Sequence, residues 1–196
     1  MSSPTCPFCN IAATNPPRPF HDPEPESESP ELGPEKTAHL ILSTDHVLAF
    51  LDIMPLTRGH VLVAPRRHYQ TLGDMGVEAG QEMGKWLPII SRVVTTAVFG
   101  EDSDKAERHW NVVQNNGVRA AQVVPHVHFH IIPRPVTDGA HKPGFAMFGR
   151  GQREELDDEE AVELVRAMRL ELEREVARIE RDEDVVLRHT SQRVKL

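Results

Sequence analysis

Apolar and polar positions alternate through the middle of the chain and recur at three- and four-residue spacing in two longer stretches. From Leu40 to Leu51 the apolar residues flank a polar turn candidate, Ser43-Thr44-Asp45, and Val47 to Leu51 has the composition of a strand. Pro55 to Gly59 interrupts the pattern. His60-Val61-Leu62-Val63-Ala64 then predicts the next strand, stopped by Pro65, so that the two form a meander. Between about Asp74 and Phe99, the residues Met75, Met83, Leu87, Ile90, Val94 and Val98 recur at helical spacing. Pro88 sits inside that pattern and predicts a kink or a restarted helix, since proline lacks the N–H its turn needs. His109 to Gln114 and Val123 to Ile132 predict two more strands, separated by the turn signal Asn115-Asn116-Gly117. After a Gly- and Pro-rich stretch from Pro133 to Gly151, a long helix is expected over roughly Glu154 to Arg181. Its stripe of Ala161, Val165, Met168, Leu172, Val176 and Ile179 must bury against something, and we expect it to pack on its own domain.

Composition changes this picture at the ends. A chain of 196 residues suffices for one well-buried core but is short for two full-sized domains. The stretch from Pro16 to about Glu35 is rich in Pro, Glu and Ser, buries too little to offset its ordering entropy, and reads as a flexible acidic insert. The residues around Arg188, Arg193 and Lys195 read as a frayed tail. With 22 basic against 30 acidic residues, the formal charge of −8 argues against a generic nucleic-acid binder, which needs clustered positive charge. No apolar run approaches the roughly 18 residues of a membrane span, and no basic-then-apolar leader stands at the N-terminus. Cys6 and Cys9 are too few and too close for a secreted disulfide framework. An intracellular location, cytoplasmic or nuclear, is therefore expected.

The chemistry concentrates at His126-Val127-His128-Phe129-His130. On a strand, successive side chains alternate faces, so the three histidines would point one way while Val127, Phe129 and Ile131 point the other. Three buried imidazoles without partners would cost roughly 1–3 kcal/mol each, so a purely structural role is a poor explanation. Two chemistries suit the cluster: metal binding through neutral imidazole, and nucleophilic attack by an imidazole whose ring a neighbour holds in place. The strand by itself leaves both open.

The apolar positions extend the motif to His126-Val127-His128-Phe129-His130-Ile131-Ile132, and on that motif the chain resembles the histidine-triad (HIT) superfamily of nucleotide hydrolases and transferases. Cys6-Pro7-Phe8-Cys9 is similar to the N-terminal CxxC of its metal-bearing members. Val47 to Ile53 and Arg58 to His68 resemble the family's two nucleotide-side strands, and Asn115-Asn116-Gly117 and Gln122 precede the triad at the family's spacing. The likeness covers residues 5–15 and 40–135, in register apart from the acidic insert. It is closest to the Hint branch, the fungal and bacterial type with CxxC, whereas the Fhit branch lacks the CxxC. It implies an α+β fold, with an antiparallel sheet of about five strands packed against a long helix and followed by a C-terminal helical extension. The HIT domain would occupy residues 1–150, and the helix and tail residues 151–196. By analogy with the Hint branch, a homodimer with paired sheets is expected.

The resemblance also implies roles. His128 would be the nucleophile, attacking the α-phosphorus of a nucleoside phosphoramidate to form a nucleotidyl-histidine that water then hydrolyses. A backbone carbonyl beside it would set its tautomer. His130 would donate to a phosphate oxygen or the leaving group, and His60 would support the triad from the adjacent strand. Asp52 would accept the ribose hydroxyls of a purine nucleotide, and Ile53 would line the base pocket, with Phe50 and Leu51 nearby. Asn115 and Gln122 would contact the phosphate or hold the loop before the triad. Where many Hint-branch members have Gly-Gln-Ser, this chain has Ala121-Gln122-Val123, which removes one hydroxyl donor from the leaving-group side. Cys6, Cys9, His68 and His126 would form a closed, structural zinc site. The leading expectation is a hydrolase of AMP-linked amines. The alternatives are a Fhit-like dinucleoside polyphosphate hydrolase, a non-catalytic nucleotide-binding scaffold, and a plain zinc module.

Overall fold

A computed structural model of the chain describes residues 6–18, 38–136, 154–183 and 187. All but the first three residues of the acidic stretch, and the C-terminal tail after Leu187, lie outside the described residues. The elements in chain order are α1 (Pro7–Thr14), β1 (Leu40–Ser43), β2 (Val47–Leu51), β3 (Val61–Pro65), α2 (Val77–Phe99), β4 (Trp110–Gln114), β5 (Phe129–Pro133) and α3 (Asp158–Asp182). The strands form one five-stranded sheet in the order β1-β2-β3-β5-β4, antiparallel at every pairing, so the α+β expectation holds.

Strand alternation divides the apolar residues between two faces. Val47, Ala49, Leu51, Val61, Val63 and Ile131 join the main core beneath α2 and α3. Leu48, Phe50, Leu62 and Ala64 face the other way and are covered by Cys6, Phe8, Cys9 and Ile11 of the N-terminal segment. His130 pairs with Leu62 on β3, which puts it on this second, α1-covered side. The β1–β2 turn forms where Ser43-Thr44-Asp45 predicts it, because the Thr44 hydroxyl accepts from the N–H groups of Val47 (2.8 Å) and His46 (3.2 Å).

The C-terminal helix packs on its own chain. Ala161, Leu164, Met168, Leu172, Val176 and Ile179 are buried in the same core as α2 and the sheet. Each large side chain of that stripe contributes about 1.5–3 kcal/mol of burial. Asp157 caps α3 by accepting from Glu160 N at 3.0 Å, and Asp158, Glu159 and Glu160 place negative charge where the helix dipole favours it. Gly59 lets this packing close up. Its φ of +78° is left-handed, and a Cβ there would stand 2.4 Å from Val98 Cγ2 of α2 and 3.5 Å from Met168 Cε of α3.

Two expectations are corrected. Pro88 does not restart the long helix: α2 runs unbroken from Val77 to Phe99, and it begins later than the expected Asp74, which instead closes a separate 3-10 turn at Leu72–Asp74. Pro88's missing bond falls opposite Gly84, where no side chain adds to the crowding from the ring. The last strand is also shorter than its apolar pattern. β5 begins at Phe129 rather than Val123, because the chain first turns through a 3-10 turn at Val118–Ala120 and through Pro125. His126 and His128 therefore precede the ladder. Val127 N donates to Tyr69 O (2.8 Å), which holds that extended stretch beside the chain leaving β3. Among the described residues, no helix is long and apolar enough to cross a membrane.

Candidate functional site

The three histidines of the motif line up beneath α1, and each is held differently. His126 is fully buried. Its Nε2–H donates to Pro65 O at 2.8 Å, which leaves Nδ1 as a bare lone pair, 3.4 Å from Cys6 Sγ and 3.8 Å from Cys9 Sγ. His68 brings its Nδ1 to 3.4 Å from Cys9 Sγ. The four ligand atoms of Cys6, Cys9, His68 and His126 lie within 4.8 Å of one another. A tetrahedral zinc with Zn–S near 2.3 Å and Zn–N near 2.05 Å has S···N edges of about 3.6 Å, so this donor set fits that ion. The carbonyl partner on Nε2 supplies the tautomer a ligating histidine requires.

His128 is buried under the ring of Phe8, edge-on with centroids 5.2 Å apart. Its Nδ1–H donates to His126 O at 2.6 Å, so the lone pair sits on Nε2. Phe8 also packs edge-on against His126 (5.7 Å) and Phe50 (5.3 Å), and so roofs the first two histidines of the row. His130 lies next along, its ring 4.9 Å from that of His128. His60, also buried, accepts Leu56 N–H on Nδ1 (3.1 Å) and faces His130 Nδ1 with Nε2 at 3.0 Å. Asp52 Oδ2 stands 3.4 Å from the same His60 Nδ1. These two contacts compete for one nitrogen. The backbone hydrogen bond is shorter and fixes Nδ1 as an acceptor, so His60 carries its proton on Nε2 and donates it to His130. A neutral His130 then holds its own proton on Nε2.

The remaining expected residues divide between site and support. Asp52 is half-buried and accepts Met54 N–H at 2.9 Å, while Ile53 beside it is 57% exposed. Phe50, by contrast, is only 3% exposed and lies under Phe8, and Leu51 points into the opposite core, so neither forms open pocket wall. Gln122 faces inward: its Oε1 accepts Gly117 N–H (2.6 Å) and its Nε2 donates to Gln70 O (2.7 Å), tying the loop before the triad to the end of β3. Asn115 is half-buried at the head of that loop. Ala121 adopts the left-handed region (φ 65°), a conformation a glycine there would take without strain. Val123, at the position of the missing hydroxyl, is 90% exposed. Sequence reasoning passed over Phe8, whose only signal was its place between two cysteines. It also passed over the contacts of the α3 lead-in, which have no local sequence signature.

An antiparallel sheet whose last strand in the chain is entered by a row of alternate histidines fits the histidine-triad class of proteins. The HIT domain family model matches residues 33–136. An uncharacterized HIT-like protein of Methanocaldococcus jannaschii is 37% identical over 125 residues, covering 63% of this chain and 87% of that protein. The adenosine 5'-monophosphoramidase of Schizosaccharomyces pombe is 42% identical over 88 residues, 45% of this chain and 58% of that protein, so the match spans less than two thirds of the yeast enzyme. The crystal structure of a zinc-bound histidine triad family protein from Mycobacterium smegmatis superposes with a TM-score of 0.59 at 29% identity, covering 87% of this chain and 96% of that one. The chain belongs to the HIT family.

Burial sets the charge state of the row. Desolvation holds the imidazolium of His128 below the ordinary value of 6.5, against the opposing effects of its carbonyl bond and of Asp52. It lowers His126 further, to about 4. In the metal-free protein both rings are therefore neutral at pH 7. The unfolded chain binds the extra protons first, so stability is fully present above about pH 6.5 and is lost as the pH falls through that interval toward 4. A histidine NMR titration of metal-free protein should show His128 with a midpoint below 6.5 and His126 with a midpoint near 4. A His128 midpoint above 6.5 would contradict the burial argument.

Proposed function

We propose that this protein is a nucleotide hydrolase that cleaves nucleoside 5'-phosphoramidates, AMP-linked amines in particular, through a nucleotidyl-histidine. The observation that carries the reading is the tautomer of His128. Its Nδ1–H is spent on the His126 carbonyl, so a neutral, buried ring presents its Nε2 lone pair with no proton to remove first. In the proposed reaction Nε2 bonds to the α-phosphorus and the P–N bond breaks. The departing nitrogen takes its proton from solvent and leaves as the amine, while His130 Nε2–H donates a hydrogen bond to a phosphate oxygen, an orientation supported by the donation His130 receives from His60 on Nδ1. Water then attacks the phosphorus, the P–Nε2 bond breaks, the water's proton passes to solvent, and the nucleoside monophosphate leaves with the lone pair restored on His128 Nε2.

Asp52 and Ile53, at the open end of the β2–β3 connection, are assigned to the ribose hydroxyls and the base. The likeness to a named adenosine 5'-monophosphoramidase favours phosphoramidates over dinucleoside polyphosphates. Wild-type protein should turn over adenosine 5'-phosphoramidate faster than diadenosine polyphosphate, and His128→Ala should lose at least about 10³-fold in kcat, the loss expected on removing a covalent nucleophile. Cleavage of the polyphosphate alone would move the protein to a Fhit-like activity. An unchanged rate in His128→Ala would remove the nucleophile, and nucleotide binding without turnover would leave a scaffold.

Zinc is assigned to Cys6, Cys9, His68 and His126, where it would act structurally by holding α1 and its Phe8 roof on the sheet. The fit of the donor set supports this, and so does the likeness to a zinc-bound relative. Protein expressed with zinc should carry one equivalent by elemental analysis. Cys6→Ser should lose it, and its melting temperature should fall. Metal-free wild-type protein at full stability would reject the site.

We also infer a homodimer joined along β4. Among the described residues this outer strand has one edge unpaired, and Trp110 and Val112 are 44% and 47% exposed on it. Light scattering should give twice the chain mass for wild type and a shift toward the single-chain mass for Val112→Lys. A monomeric wild type would refute the dimer.

A further inference from the structure

The matched family region ends at residue 136, yet the next described segment, residues 154–160, returns to the connection that carries Asp52 and Ile53. Three contacts make the return. Leu156 N donates to Ile53 O at 2.9 Å, and the Leu156 side chain packs on the main core. Arg58 Nε donates to Glu160 Oε1 at 3.0 Å, pinning the far side of the same connection to the first turn of α3. Asp158 Oδ1 lies 3.4 Å from His39 Nε2, and the His39 carbonyl accepts from Leu51 N where β2 enters the connection. Beneath them, Gly59 presses its bare Cα side against Met168 of α3.

Within the connection, Met54 N donates to Asp52 Oδ1, Leu56 N to His60 Nδ1 and the Thr57 hydroxyl to Pro133 O. Asp52 N donates to His60 O and His60 N to Thr57 O, closing its base, while Ile53 and Met54 at its tip are exposed at 57% and 38%. At this tip, which carries an acceptor and an apolar side chain for one ligand, the Ile53 carbonyl takes its bond from Leu156 and is supported from outside the connection. The segment leading into α3 provides that support from a part of the chain beyond the family domain.

We propose that Leu156 and the Arg58–Glu160 pair are positioning residues of the nucleoside subsite, holding the Asp52–Ile53 tip in its binding geometry so that α3 sets affinity for the nucleoside half of the substrate. This rests on the proposed nucleotide site. The tautomer of His128 is fixed by the His126 carbonyl and its ring is covered by Phe8, and neither Leu156 nor the Arg58–Glu160 pair bonds to that ring. Their effect falls on binding and not on the phosphoryl step.

The test is a charge-swap series at a half-exposed pair, which leaves the core untouched: Arg58→Glu, Glu160→Arg and the double exchange. Each variant is checked for melting temperature. Each is then measured for KM and kcat with adenosine 5'-phosphoramidate, and for AMP affinity by calorimetry. A pair of this exposure supports up to about five-fold in a binding constant, so each single variant should raise KM and the AMP Kd about three- to five-fold with kcat within about two-fold of wild type. The double exchange should restore both. Unchanged AMP affinity and KM in the single variants, with wild type active, overturns this inference and leaves the function standing. So does a loss carried by kcat alone, or a double exchange that fails to recover. A wild-type protein that neither binds AMP nor cleaves the substrate overturns the function and this inference with it.

Discussion

His126 holds the arrangement together, because three of its groups are committed in three directions. Nδ1 faces the two thiols of the N-terminal segment, Nε2–H is bonded to the carbonyl of Pro65 at the end of β3, and its own carbonyl receives the Nδ1–H of His128. A typical hydrogen bond nets only about 0.5–1.5 kcal/mol, but a fully buried ring left with an unmet donor or acceptor costs about 1–3 kcal/mol. Removing one of the three contacts would therefore release the others. The cluster that resembles a metal site and the ring that resembles a nucleophile are a single connected object.

This connection explains why the N-terminal segment belongs to the site although α1 is only eight residues long. Alternation sends Leu48, Phe50, Leu62 and Ala64 to the sheet face opposite the long helices, and without cover that face would be wet. The Cys-Pro-Phe-Cys segment covers it with Phe8, and the same ring excludes water from His126 and His128. Desolvation then keeps the imidazoles neutral. Arg66 fastens α1 from the other end by donating to the carbonyls of Ala12, Asn15 and Thr44. Packing, protonation state and tautomer thus follow from one small element being held down.

Much of this was legible along the chain, for physical reasons that also mark where legibility stopped. Strand-like apolar runs located β2, β3 and β4, the turn at Ser43-Thr44-Asp45 marked only where β1 meets β2, and three- and four-residue periodicity located α2 and α3, because each pattern reports a face that must be buried. The histidines were correctly placed in one row, yet for His126 and His128 the reason was not the expected one. Apolar alternation continues through Val127, but Pro125 and the turn at Val118–Ala120 keep the chain out of the ladder until Phe129, so the row is extended rather than sheet-paired. Phe50 was expected at the pocket because it neighbours Asp52 in sequence, and it lies instead in a layer covered by Phe8, from a segment some forty residues earlier. Contacts between distant segments carry no periodicity of their own. For the same reason, Leu156 on Ile53 had no sequence signal.

The two ends of the described chain therefore act on opposite ends of the row. The N-terminal segment covers His126 and His128 and governs their charge and orientation, while the start of α3 braces the connection bearing Asp52 and Ile53. Between them, the sheet contributes a rigid spacing, since His60 and His130 meet across β3 and β5. The two supports differ in kind. The first is buried, short-range and shared with the sulfur and imidazole donors, so it tolerates little change. The second rests on one backbone bond, the partly buried Leu156 side chain, the Asp158–His39 contact and a half-exposed Arg58–Glu160 pair worth at most about 1 kcal/mol, so it can vary among related chains with less effect on the fold. Variation in what such proteins bind is accordingly expected at the α3 contact, and constancy in how they react is expected under α1.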